Sequence, residues 1–124
     1  MLFESMIVAG VGGFFGTCGR YLTGVAAKKI FKSSYPFGTF CANFIGCFII
    51  GLLFGLWNSH EMDTTMKVLL ISGFCGGYTT FSSFSHDMYS LIQKGKYVQF
   101  ATYLITSVGF GLLMVWAGMS ITGR

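Results

Sequence analysis

The sequence predicts an all-α integral membrane protein with four transmembrane helices, the third of which is broken at the membrane midplane. Of its 124 residues, 53% are hydrophobic and only 10% are charged, whereas soluble domains carry about a quarter charged residues. The charges cluster, which leaves four stretches long enough to cross a bilayer core of about 20 residues. The predicted spans are residues 5–27, 33–58, 68–90 and 97–122. The connections are short, so we predict a single membrane domain over residues 1–124.

The first span is rich in glycine and carries one arginine near its end. Gly12 and Gly16 have the small-xxx-small spacing that lets helix backbones approach closely. Arg20 lies about two turns inside the end that carries the first lysine cluster. Such an arginine either extends to the lipid headgroups or faces a wet vestibule, where it attracts anions. The sequence leaves these two roles open.

The second span carries polar groups on one helix face. Thr39, Asn43 and Gly46 follow one another at i, i+4 and i+7, which places them on one side of a helix. Asn43 is an amide in a stretch made otherwise of Phe, Ile, Leu, Cys and Gly. It either forms an interhelical hydrogen bond, as polar residues in membrane helices often do, or belongs to a polar stripe that faces a permeation path.

The third span contains the stretch around which the chain is organised, GFCGGYTTFSSF at residues 73–84. Its adjacent glycines and β-branched threonines make a poor helix interior. A broken helix is tolerated in hydrocarbon only where protein buries the break or the break lines a wet cavity. The carbonyl end of the first half can then hold a cation, and the amide end of the second half favours an anion. We therefore predict an ion or solute site at the break, the alternative being a continuous helix with glycines that serve packing.

The residues after the predicted break combine aromatic rings with hydroxyl groups. Phe81 and Phe84 are three residues apart and share a helix face, where their positive ring edges can favour a small anion without a full charge. Ser82 and Ser83 add donors that can replace hydration. Ordinary aromatic packing is the alternative for the two phenylalanines taken alone.

The fourth span carries a second polar stripe, since Tyr103 and Ser107 are four residues apart. The four cysteines are irregularly spaced within apolar stretches and match no zinc or redox pattern. No nucleophile–base pair or metal cluster is apparent, so we do not expect an enzyme. The net charge of +4 comes from basic residues in the connections, where membrane topology rather than nucleic acid binding explains them.

These motifs resemble those of the Fluc (CrcB) fluoride channel family. The likeness is carried by GFCGGYTTFSSF in span three, by GTFCANFIGCFIIG in span two and by the glycine-rich first span that ends in Arg20. It covers the whole chain and is looser in span four. The resemblance implies a fluoride-selective channel in the cell inner membrane, through which fluoride leaves the cytoplasm passively and its toxicity is lowered.

The resemblance also implies roles for individual residues. Phe81 and Phe84 would present their ring edges to fluoride, and Asn43 and Ser82 would be polar ligands in the pathway. The residues that would continue the pathway or form its entrance are Tyr103, Ser107, Thr39 and Arg20.

The family further implies an antiparallel, dual-topology dimer with two fluoride pathways and a structural sodium ion at the centre of the interface. The backbone carbonyls of Gly76 and Thr79 from both subunits would hold this Na⁺. The loops between spans one and two and between spans three and four share a side of the membrane and contain five lysines, whereas the opposite side has Lys67 and Arg124. This bias predicts one preferred orientation with both termini outside, but dual insertion requires near balance. We expect a homodimer, and pairing with an oppositely oriented paralogue is the alternative.

A proton-coupled antiporter of the small multidrug type is the main alternative function. It requires a carboxylate embedded in the membrane, but the acidic residues of this chain lie at or beyond the span ends. They are Glu4, Glu61, Asp63 and Asp87. A potassium-type filter would require the order Gly-Tyr-Gly, which is absent, and a non-conducting subunit would leave Asn43 and the serines unexplained.

Overall fold

The computed structural model describes residues 1–123, and every element in this range is helical. The all-helical prediction is therefore confirmed. In chain order, the elements are α1 (Leu2–Phe31), α2 (Phe37–Asn58), α3 (Thr64–Lys67), a π-helical segment (Val68–Cys75), α4 (Gly76–Tyr78), α5 (Phe81–Gln93) and α6 (Tyr97–Thr122). The three elements from α3 to α4 follow one another without interruption and form the first half-helix (residues 64–78). The second half-helix is α5.

Within the described residues, three helices are long and apolar enough to cross a membrane, namely α1, α2 and α6. The third predicted span corresponds to the two half-helices. Large apolar side chains point outwards along the long helices; Phe14 and Ile105, for example, are 64% and 68% exposed. Water would not favour so much exposed apolar surface, whereas lipid would. The protein is therefore a multi-pass membrane protein.

The helix ends have local causes. Helix α1 extends to Phe31 and stops at Lys32, which adopts the left-handed conformation with φ 47°. Helix α2 begins only at Phe37, because Pro36 has no amide to donate and disfavours a helical residue before it. The first half-helix begins after Asp63, whose carboxylate accepts a hydrogen bond from the Met66 amide at 2.8 Å.

The third membrane segment is broken, as the sequence predicts, and the threonines form the break. Thr79 and Thr80 are extended, with ψ values of 156° and 124°, and we call this pair the break. The two glycines before it stay helical. Gly77 instead allows close packing, because an added Cβ would lie 2.6 Å from the Gly13 carbonyl oxygen.

Glycines also set the spacing between α1 and the first half-helix. Gly12 and Gly16 are buried, and a Cβ on either would overlap a backbone carbonyl, that of Leu69 or that of Phe74 respectively. The close approach predicted from the small-xxx-small spacing is thus present. The same device packs α2 against α6, where a Cβ on Gly51 would overlap the Val115 carbonyl.

Candidate functional site

A single side chain from α2 bonds to the break. The Asn43 amide nitrogen donates to the Thr80 carbonyl oxygen at 3.0 Å, and the Thr80 amide donates to the Asn43 carbonyl oxygen at 2.8 Å. Asn43 thus pairs with both backbone polar groups of one extended residue. The interhelical hydrogen bond expected of this amide is present. Asn43 has a second N–H and a second lone pair on its oxygen, so it retains capacity for a further ligand.

The carbonyl end of the first half-helix is bound by α1. The Arg20 Nε donates to the Gly77 carbonyl oxygen at 3.1 Å. Nearby, the Thr23 hydroxyl lies 2.8 Å from the Tyr78 hydroxyl and donates to the Gly19 carbonyl. A guanidinium beside the negative end of a helix is electrostatically favourable. Sequence reasoning did not find this contact, because the two partners are separated by 57 positions.

The amide end of the second half-helix is capped by the break itself. The Thr80 hydroxyl accepts from the Ser83 amide at 3.1 Å and lies 3.2 Å from the Ser82 hydroxyl. Threonine is a favourable N-cap residue because its oxygen satisfies an amide that has no helical partner. This role of Thr80 was missed at the sequence level, although a threonine immediately before a helical stretch was a usable signal.

A cavity of about 290 Å³ lies beside the break, and we call it the break cavity. The structure brings together here residues of α2, of the break, of α5 and of α6 that the sequence had singled out. They are Asn43, Thr79, Phe81, Phe84 and Ser107. The other lining residues are Cys47, Ile50, Thr80 and Val108. The described residues that line it therefore include no carboxylate, ammonium or guanidinium group.

The two phenylalanines of the break cavity differ greatly in exposure. Phe81 is 78% exposed and Phe84 only 7%, with their ring centroids 6.1 Å apart. Phe84 also packs on the ring of Tyr103, at a centroid distance of 5.0 Å. Phe84 is therefore packed within the chain, whereas the Phe81 ring projects from its surface.

Two polar groups of α6 lie near the break cavity: Ser107 lines it, and Tyr103 packs on Phe84 without lining it. Tyr103 is fully buried, and its hydroxyl donates to the Asp87 carboxylate at 3.1 Å. The Thr39 side chain is a further polar neighbour of that hydroxyl. The Ser107 hydroxyl oxygen is buried and has no hydrogen-bond partner among the described residues. Asp87, expected at the membrane interface, thus contacts a predicted site residue, a pairing that no sequence spacing indicated.

A larger cavity of about 530 Å³, the outer cavity, reaches from the loop after α1 to the break. Arg20, Thr39, Thr80 and Asp87 line it, together with Lys28 from the end of α1. The structure thus brings Arg20 and Thr39 into the outer cavity and Asn43 into the break cavity, with Thr80 shared by both. Of the predicted site residues, Gly76, Ser82 and Tyr103 line neither cavity.

The two carbonyls singled out for a cation lie on either side of the last turn of the first half-helix. In a continuous helix, the Thr80 amide would donate to the Gly76 carbonyl, but here it donates to Asn43. Thr79 is extended, so its own carbonyl is also outside the helical pattern. Gly76 is exposed, with no atom within 4 Å of an added Cβ. This surface is therefore open on the single chain.

Comparison with known proteins relates the whole chain to one group. The chain is 37% identical over 119 residues to a protein of Flavobacterium psychrophilum called fluoride-specific ion channel FluC, covering 95% of this chain and 96% of that protein. Proteins with the same name from Rhizobium etli and Desulfotalea psychrophila are each 38% identical. The alignments cover 97% and 96% of this chain, and 96% and 92% of the respective relatives. The family model described as CrcB-like protein, Camphor Resistance (CrcB), matches residues 7–119. This chain is therefore a member of the CrcB family.

Proposed function

We propose that the protein is a fluoride-selective ion channel that exports fluoride passively from the cytoplasm across the cell inner membrane. Relatives named fluoride-specific ion channels align with nearly its whole length. The observation that carries the proposal is the break cavity, which combines an amide, hydroxyls and aromatic rings without an ionised side chain. An enzymatic role is not proposed, since a channel needs no covalent chemistry.

The chemistry of the two cavities suits a small, strongly hydrated anion. Such an ion needs several donors in a narrow space, and a full positive charge there would trap it. The second N–H of Asn43 and the unpaired hydroxyl of Ser107 are such donors. The cationic groups, Arg20 and Lys28, lie instead in the outer cavity, where they raise the local anion concentration. In this proposal fluoride enters by the outer cavity and sheds water beside Thr39 and Thr80.

A second copy of the chain completes each pathway in this proposal. Phe81 is 78% exposed on the single chain, and a ring so placed can line a pathway formed with a partner. We propose an antiparallel, dual-topology homodimer with two pathways. Pairing with an oppositely oriented paralogue is the alternative, which the lysine bias between the two membrane sides favours.

The carbonyls at Gly76 and Thr79 fit a sodium ion. Backbone carbonyls freed by an unwound membrane helix are the usual protein ligands of Na⁺ in such folds. We propose that both subunits contribute these two carbonyls and that the ion lies at the centre of their interface. Bound there, Na⁺ would neutralise four carbonyl dipoles and hold the two first half-helices together.

Ion efflux from liposomes that contain the purified protein tests the function. Fluoride and chloride electrodes record release in parallel after the membrane potential is clamped. We expect fast fluoride release with little chloride release. Equal release of both anions would refute the selectivity, and the absence of release from liposomes with correctly folded dimer would refute the channel.

A further inference from the structure

One end of the protein carries a concentration of lysines drawn from two separate loops. Lys28 and Lys29 lie in the last turn of α1, and Lys32 ends that helix. Lys94 and Lys96 lie between α5 and α6. The fold joins the two groups, since the Lys96 Nζ donates to the Ser34 hydroxyl at 3.4 Å. We call these five residues and Ser34 the lysine end.

Neighbouring carboxylates compensate only a small part of the charge of the lysine end. Within residues 1–123, the only ion pair joins the Met1 amino group to Glu4, at the opposite end of α1. Glu61 and Asp63 also lie at that opposite end, after α2. Asp87, the one acidic residue near the lysine end, lines the outer cavity with Lys28 and Ser34 and accepts a hydrogen bond from the buried Tyr103, so a single carboxylate faces five lysines. The lysines therefore present a net positive field to the outside.

The position of the lysine end coincides with the ends of membrane-crossing helices. Lysines at such ends lie at the level of lipid headgroups. The rings of Phe31 and Phe37 stack there, 4.2 Å apart, and Tyr35 contacts Phe37. Clusters of four or more basic residues beside a membrane helix attract anionic lipids. Four of the five lysines are exposed, and Lys96 is half-buried.

We propose that the lysine end binds the phosphate groups of anionic phospholipids. Lys96 and Ser34 supply an ammonium and a hydroxyl group that lie side by side in space, and Lys28 lines the same cavity as Ser34. These groups form hydrogen bonds to phosphate oxygens, while the aromatic rings contact the acyl-chain region. The inference is independent of fluoride conduction, and its test requires no ion flux.

Native mass spectrometry of the full-length protein with graded phosphatidylglycerol or phosphatidylcholine measures the binding. Both lipids carry a phosphate, but only the first has a net negative charge. We expect phosphatidylglycerol to bind at least fivefold more tightly. Lys96→Gln should weaken it about fivefold, the value of one lysine near a charged membrane surface. Lys67→Gln is the matched control, because it removes a lysine that lies over the Trp57 ring at the opposite end.

Each other outcome overturns the proposal. Equal affinity for both lipids would mean that no anionic headgroup is selected. Equal weakening by K96Q and K67Q would mean that net charge, rather than the lysine end, governs binding. Displacement of phosphatidylglycerol by inorganic phosphate at the same concentration would indicate a general phosphate site. Lys96→Arg keeps the charge and should bind as the unaltered protein does, which separates charge loss from misfolding; its failure to bind would overturn the proposed charge interaction.

Discussion

Replacing Asn43 by leucine separates the structural role of this amide from its role in a pathway. Leucine has nearly the same shape but can neither donate to the Thr80 carbonyl nor accept from the Thr80 amide, the two contacts of 3.0 and 2.8 Å. The break would then keep its extended backbone while losing both partners. We expect N43L to be destabilised because two backbone groups would be left without hydrogen bonds.

The magnitude follows from these two groups. An unsatisfied buried donor or acceptor costs about 1–3 kcal/mol. Thr80 is only half-buried and lines both cavities, so water can replace part of what is lost, and we expect the loss of both partners to lower the free energy of unfolding by about 1–3 kcal/mol in total. N43D keeps an oxygen that accepts from the Thr80 amide but loses the donor to the carbonyl. We expect about half the destabilisation, together with suppressed fluoride flux, because an anion would then lie beside the break cavity.

Denaturant unfolding of the purified protein, followed by tryptophan fluorescence, measures the stability, and fluoride-electrode efflux measures the flux. Asn58→Leu is the matched control, since this exposed asparagine ends the same helix. An N43L protein within about 0.5 kcal/mol of the unaltered one, the usual range for surface substitutions, would refute the reasoning. Full fluoride flux in N43D would refute the pathway role and leave Asn43 as packing.

Three further substitutions test other parts of the site. Phe81→Ile should strongly reduce fluoride flux in the efflux assay while the protein elutes unchanged, because this ring lines the break cavity and is 78% exposed on the single chain; unaltered flux would remove its assigned role. Arg20→Gln should lower both the flux and its dependence on ionic strength, because it removes one positive charge from the outer cavity. Arg20→Lys should keep the salt dependence but lower the stability, because it loses the hydrogen bond from Nε to the Gly77 carbonyl. Gly16→Ala should destabilise the fold by about 1–3 kcal/mol, since its Cβ would overlap the Phe74 carbonyl. Gly10→Ala, on an open face of the same helix, should be neutral or stabilising when unfolding is measured.

The sequence predicted those parts of the fold that depend on the composition of one stretch or on spacing within one helix. Long apolar stretches indicate membrane helices, and Gly12 and Gly16 indicate a close helix contact that the structure contains. The broken third segment was also predicted. The adjacent glycines and the threonines together indicated a break, but the sequence did not show which of these residues would leave the helix. In the structure both glycines stay helical, Gly77 in close contact with Gly13 of α1. The hydrogen bonds with Asn43 stabilise the extended conformation at Thr80.

For the candidate site, the sequence predicted which residues take part but not how residues of different helices contact one another. The spacing of Phe81 and Phe84 gave a shared face, and the two rings do line one cavity. Their unequal exposure depends on Tyr103, which is distant in sequence and packs on only one of them. The contact of Arg20 with Gly77 and that of Tyr103 with Asp87 likewise depend on how separate helices meet. No periodicity within a single helix encodes such contacts.

The hydrogen bonds that hold the break in place limit how far the third membrane segment can bend. Its carbonyl side is attached to α1 through Arg20, and Thr80 is attached to α2 through Asn43. An interrupted helix often serves as a hinge. Here hydrogen bonds from two different helices hold the break, and bending it would break these bonds together. A pore lined by residues held in this way would not need the break to bend while an ion passes. In the proposed channel, the flux would then be set by the concentration difference of the ion and the membrane potential rather than by a movement of this segment.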